Sequence, residues 1–431
     1  AYFAYKTQIL GEQCYDHIVL TRDIDLAGYD WMPIGTGRNV VSGVQPYFRG
    51  IFDGQGHSIS NLNINVEGYQ ELNEYGLFGL IDVDAVLKNF TILSGEVNGS
   101  AKVGGAVGWL WSASVENVIN YANINGSSYV GGIVGNYHSW EGNFVRECQN
   151  YGTITGTNYT AGIVGGGDDS SGMQNIVDCV NYGTIKGASF TGGIVGNIVK
   201  VKMSGCVNYG SISGQDRVGG IAGRVNNNSV VSELVNYGDV TGWTHVAGIL
   251  GGAAYADSAT SCFNLGNIKG ESHIGGVIGY VYDGITLTNS ANFGNITGTN
   301  TEVGGLIGLV ESSSAGAVIR NNGSEGSLVG TGATNVGTLI GRITGSNVVE
   351  NNYANMTTTS NTFIGEGSVN GAYIYVLNVN GTTYKRYHGD VSNFGWVSGS
   401  DCPIPKGFSW VGEYIASVTT SNLTSAGFSS I

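Results

Sequence analysis

Proline is almost missing from this chain: 4 in 431 residues, at Pro33, Pro46, Pro403 and Pro405, with none between 47 and 402. Proline has no N–H to give to a strand ladder, so that long span is open to uninterrupted β pairing. Charge is scarce as well. Charged residues make up 12% of the chain, and 18 scattered Lys and Arg face 32 Asp and Glu, for a formal charge of −14. Phosphate binding rests on clustered basic side chains, which excludes nucleic acid and anionic membrane surfaces as expected partners. No run approaches the roughly 18 consecutive apolar residues of a membrane helix, so no membrane span is expected. The N-terminal AYFAYKTQIL lacks the basic start, apolar core and cleavage site of a signal peptide. It reads as a mature or excised segment.

Motifs for metal chemistry are missing too. None of His17, His57, His138, His245, His273 and His388 lies four residues from another, so no HExxH zinc motif exists. No DxDxDG calcium loop is present either, and no cofactor is expected. What the chain does have is glycine, 73 residues of it, beside 41% apolar residues. Low charge with that apolar share excludes classical disorder. The glycines keep a fixed register that is not the collagen triplet.

That register is a repeat. Phrases such as DCVNYGTIKGASFTGGIVG (178 to 196) and GCVNYGSISGQDRVGGIAG (205 to 223) recur nine times, their last glycines at 108, 135, 165, 196, 223, 251, 279, 308 and 341. A period near 28 residues marks a solenoid, propeller or array. Within each copy lie three short β-branched runs bounded by Gly and Asn, the strand signal, with no helical spacing. Three strands and three corners per copy make one coil of a β-helix. The Leu-x-x-Leu-x-Leu frame of leucine-rich repeats is absent, and propeller blades need four strands in 40 or more residues.

In such a stack each slot lies about 4.8 Å from its copy in the next coil. Asn120, Asn150, Asn181, Asn208, Asn236, Asn264 and Asn292 would form one ladder at a corner. The next slot, mostly Tyr, would form an aromatic row. Cys148, Cys179, Cys206 and Cys262 share a slot that holds Val118, Leu234 and Ser290 in other copies, which favours a reduced, buried ladder; disulfides or a metal site are the alternatives. Residues 1–60 are expected to form an N-terminal cap and first coils, 61–371 the solenoid, and 372–431 a β-rich cap or small appended domain. Caps are expected because bare edge strands invite pairing.

The VGGIVG phrases, with DIDLAGYDWMPIGT (23 to 36) and FRGIFDGQGHSISNL (48 to 62), resemble the GLUG-repeat proteins. These are bacterial surface and secreted proteins, including non-catalytic parts of some IgA-cleaving metallopeptidases. The resemblance covers roughly residues 20 to 370. It implies an all-β, right-handed parallel β-helix, extracellular or at the cell surface, serving as a stalk or adhesive module. It implies no catalytic residue.

Two chemistries compete for the surface. A carbohydrate-active enzyme would use paired carboxylates, for which Asp168 and Asp169 in GGGDDSSGM, and Asp23, Asp25 and Asp53, are candidates. Asp168 and Asp169 also read as a solvated loop or a weak calcium site, and the other three as caps of turns. A binding module would use aromatics. Trp109, Trp111, Tyr137, Trp140, Tyr255, Tyr280 and Tyr282 follow the VGGIVG phrases, and Tyr129, Tyr159, Phe190, His245 and His273 precede the buried Val. Such rings stack on sugars or anchor protein partners, or merely shield neighbouring coils. Ten Asn-x-Ser/Thr triplets, Asn125 and Asn158 among them, are possible glycan acceptors in a chain where chance also produces them. The expected function is a non-catalytic adhesin, stalk or filament-forming module, binding glycan or host surface protein or self-associating end to end. A polysaccharide lyase or hydrolase is the alternative, so enzyme status stays open.

Overall fold

The computed structural model describes residues 2–36, 46–65, 73–140, 142–167, 172–255, 257–350, 352–355, 364–367, 374–379 and 382–387. Across these the chain winds into a β-solenoid of about ten coils with roughly 28 residues each, as the period predicts. Three sheets form its faces. Among the described residues sheet I has 22 strands, sheet II has 17 and sheet III has 11. One coil runs through Ser114–Asn120 in sheet I, Asn123–Asn125 and Ser128–Gly131 in sheet II, and Val134–His138 in sheet III.

Pairing between coils is parallel and in register. Ile124 lies beside Ile154, then Ile185, Ile212, Val240, Ile268, Ile296 and Leu328. All eight are buried in one continuous core. Burying an aliphatic side chain of this size is worth about 1.5–3 kcal/mol, and a coil on its own could bury none of them. Neighbours therefore stabilise neighbours. At the N-terminal end the filling is aromatic: Phe48 packs on Phe78 at 4.8 Å, and Phe52 on Phe78 and Phe90 at 5.3 and 5.2 Å.

The bends are left-handed. Gln55, Asn89, Asn117, Glu147, Asp178, Glu233, Ser261, Asn289 and Asn321 take positive φ at one bend of sheet I. Lys102, Tyr129, Tyr159, Phe190, Arg217, His245, His273, Glu302 and Asn335 do so where sheet II leads into sheet III. Left-handed backbone costs a non-glycine residue about 1–2 kcal/mol. Asn tolerates it best, so the bulky residues of the second series are held there by their surroundings.

Both ends of the stack depart from the pattern. Helix Tyr2–Gln8 lies at the start, where Gln8 donates to the carbonyls of Pro33 and Gly35 at 2.9 and 3.0 Å, and Gly35 N donates to Thr7 Oγ1 at 2.9 Å. At the far end Ile374–Val379 and Thr382–Tyr387 form an antiparallel hairpin, and the second strand pairs antiparallel with Tyr353–Asn355. These are the antiparallel pairings among the described strands. They end the parallel ladder with pairing of a different kind, one way of blunting an edge.

Candidate ligand-binding surface

Sheet III carries most of the aromatic candidates. Along each of its strands one residue points out, the next in, the next out. Trp109 and Trp111 face outward around the buried Leu110, and six coils on Tyr280 and Tyr282 take the same two slots around the buried Val281. Six steps of about 4.8 Å put the two pairs about 29 Å apart on one face. Their surroundings differ. The Lys102 ammonium covers Trp109 at 3.3 Å while pairing with Glu74, and the Trp111 ring packs against His138 at 4.5 Å. Tyr282 is exposed; Tyr255, also exposed, meets it edge-on at 5.5 Å. Tyr280 donates to Glu311 at 2.7 Å and lies 4.9 Å from the His245 ring.

Tyr137 does not belong to this surface. It falls in the inward slot beside Leu110 and is wholly buried. The neighbouring coils place Ile198, Val225, Ala253, Val281 and Val310 in that column, so its parity made it a core residue. Trp140 is 53% exposed in the loop after Val134–His138. Asp168 and Asp169 lie outside the described residues.

The column ahead of the buried Val stacks ring on ring. Tyr129 meets Tyr159 at 4.7 Å, Tyr159 meets Phe190 at 5.1 Å, and His245 meets His273 at 4.7 Å. Arg217 lies over Phe190 at 5.1 Å. Burial pushes the Asp216 carboxyl up, but His245, Arg217 and Thr244 more than offset it and hold it at about 2. Tyr121, Tyr151, Tyr182, Tyr209 and Tyr237 stack in a second row, with centroids 4.5–5.0 Å apart and planes within 10°. Each ring covers its neighbour's face, which leaves edges and hydroxyls to solvent.

Inside the corner the asparagines bond one another. Asn120 donates to Asn150, Asn150 to Asn181, Asn181 to Asn208, Asn208 to Asn236, Asn236 to Asn264 and Asn264 to Asn292, at 2.7–2.9 Å. Each also donates to the carbonyl two residues ahead, as Asn150 does to Gly152 at 2.9 Å. Cys148, Cys179, Cys206 and Cys262 are free and buried, and each thiol donates to the carbonyl two residues before it at 3.2–3.4 Å. Burial pushes the Cys148 and Cys206 thiols up and Cys262 to about 12.

The carboxylates of the first coils hold backbone, Asp25 and Asp53 within turns and Asp23 across to the strand Ser58–Ser60. Asp23 accepts from Ser58 N at 2.8 Å, Asp25 from Ala27 N at 2.9 Å, and Asp53 from Gln55 N at 3.0 Å. Among the described residues no three His, Cys, Asp or Glu side chains gather as metal ligands.

No family model matches the chain, so the GLUG-repeat resemblance rests on the quoted motifs. Halomucin of Haloquadratum walsbyi is 30% identical over 106 residues, 24% of this chain. The aligned stretch spans 1% of halomucin's length. A putative immunoglobulin A1 protease from Bacteroides ovatus is similar in structure, with a TM-score of 0.42 and 18% identity over 64% of this chain and 78% of that one. Among the described residues no helix is long and apolar enough to cross a membrane.

Sequence reasoning passed over two side chains on this face. Arg217 and Arg224 stand in columns that are otherwise largely aromatic or polar, beside Tyr280 and Tyr282. Aligning the copies slot by slot shows both, with Lys102 in the Arg217 column and Arg342 in the Arg224 column as the other Lys or Arg.

Proposed function

We propose that this chain is part of an extracellular β-solenoid that works without catalysis, as a rigid stalk whose exposed aromatics bind glycan. The observation that carries this reading is the cluster of Tyr255, Tyr280 and Tyr282 on an open sheet face, with Tyr255 and Tyr282 exposed. Aromatic faces on a flat surface suit sugar rings. The stretch shared with a mucin-like protein name supports a surface setting, as does the extended shape of the stack.

The carboxylate-enzyme alternative draws less support, since Asp25 and Asp53 are each engaged by a backbone N–H of a turn and Asp23 by the backbone N–H that opens strand Ser58–Ser60. A glycan array with whole-cell adhesion tests the reading. The expected result is a set of hits weakened by Tyr282→Ala or Trp140→Ala at unchanged circular dichroism. An array without hits removes the glycan-binding role.

A further inference from the structure

Between the coils of Arg224 and Tyr280 the outward column of sheet III holds Gly252, with Ala254 in the column beside it. The missing side chains leave a shallow cavity of about 210 Å³ lined by Arg217, Arg224, Gly252, Ala254, Tyr280 and Tyr282. Gly252 is unlike the glycines around it. A Cβ on Gly251 or Gly248 would meet other atoms at 2.6 or 2.1 Å, but on Gly252 nothing comes nearer than 3.9 Å, and its φ is not positive. Backbone geometry does not demand glycine here. Its effect is to keep the gap open.

Charge is the second observation. Arg217 is ion-paired with Asp216, whereas Arg224 has no hydrogen bond or ion pair among the described residues. Burial, then the neighbouring Arg217, pushes the Arg224 guanidinium down, against a smaller opposing pull from Tyr255 and the Asp257 carboxyl. The carboxylates nearby have other partners. Asp216 serves His245 and Thr244 as well as Arg217, Glu311 accepts from Tyr280, and Asp257 accepts from Ser229 N and Ala254 N beneath the floor.

We propose that this cavity binds one oxyanion-bearing ring of an acidic glycan, with Arg224 as charge partner and Tyr280 and Tyr282 as ring contacts. The inference rests on the glycan-binding reading and narrows it to sugars carrying a carboxylate or a sulfate. A guanidinium fork matches either oxyanion with paired donors. The volume lies below the roughly 300–1,000 Å³ of drug-sized pockets, which suits a single ring. On a chain of net charge −14, an unpaired arginine beside a second one also localises the attraction to this face.

Calorimetric titration of the full chain with oligogalacturonate, a heparin-derived oligosaccharide and a neutral maltooligosaccharide tests it. The expected result is binding of an acidic probe, at least tenfold weaker in Arg224→Gln and in Gly252→Val, with melting temperatures unchanged. Gly252→Ala, whose Cβ has room, serves if the valine perturbs folding. The carboxylated and sulfated arms identify the oxyanion. Acidic binding that is indifferent to Arg224→Gln overturns the inference. So does neutral binding alone that is lost in Trp140→Ala, while leaving the wider glycan reading intact. No binding to any glycan overturns both.

Discussion

At Asn208 one buried side chain closes three bonds: it donates to Gly210 O at 2.8 Å and Asn236 Oδ1 at 2.7 Å, and accepts from Asn181 at 2.8 Å. Asn208→Ala removes all three and leaves buried partners without one, at about 1–3 kcal/mol for each orphaned group. Hydrogen exchange read by mass spectrometry should show faster opening confined to the coils on either side, from about residue 181 to 236. Asp257 makes a pH-dependent contribution. Burial pushes its carboxyl from 3.8 up to about 7, so between those values the folded protein holds a proton that the unfolded chain has released. Stability from this group is therefore full below about pH 4 and falls as pH rises to about 7, by at most ~4 kcal/mol. Asp257→Asn should remove that slope, gaining on wild type in urea midpoint from pH 4.5 to pH 7.5. The cysteine slot has a chemical readout. Cys148, Cys179, Cys206 and Cys262 are expected to react with a thiol reagent only after denaturation, and native disulfides among them would contradict the buried ladder.

Strands and bends are governed by close approach of backbone. In the phrase GGIVG a Cβ on Gly132 would lie 2.1 Å from Gly162 O and 2.6 Å from Asn150. Gly132→Ala forces two coils apart and is expected to cost about 1–3 kcal/mol or more, whereas Gly252→Ala should be neutral or slightly stabilising. Thermal melts of the two variants side by side check the contrast. The same elements explain what the sequence disclosed. The coil was legible because VGGIVG returns every 27 to 33 residues, and parallel stacking turns equal slots into neighbours. Tyr137 was misplaced because adjacency to that phrase was read without parity, although Leu110, Val225 and Val281 in the same slot mark it as inward. The cavity was not legible at all. It consists of what Gly252 and Ala254 lack, and a missing side chain acquires meaning only when the long side chains one coil above and below are known.

A stack of about ten coils stabilised mainly by nearest neighbours should tolerate the loss of a whole coil and not of half a coil. Gly196 and Gly223 are equivalent positions 27 residues apart, and Asn197 pairs directly with Arg224. Deleting 197–223 therefore joins Gly196 to Arg224 with every ladder intact: Asn181 would face Asn236, Ile185 would face Val240, and Gly193 would face Gly248. Deleting 14 residues, 197–210, would instead set core positions against turn positions, which exposes apolar side chains and orphans ladder donors. The expected outcome is a cooperative melt and a β-rich circular dichroism spectrum for the 27-residue deletion, and an unfolded or aggregated product for the 14-residue one. The full-coil deletion also shortens the distance between Trp109/Trp111 and Tyr280/Tyr282 from about 29 to about 24 Å, one coil of about 4.8 Å. Arg217 is lost with that coil, while Arg224, Gly252 and Tyr280 keep their mutual register. If Arg224 is the charge partner, the shortened rod should still bind an acidic sugar, more weakly by the contribution of one flanking arginine. A shortened rod that folds yet loses all acidic binding would assign the charge recognition to Arg217 instead.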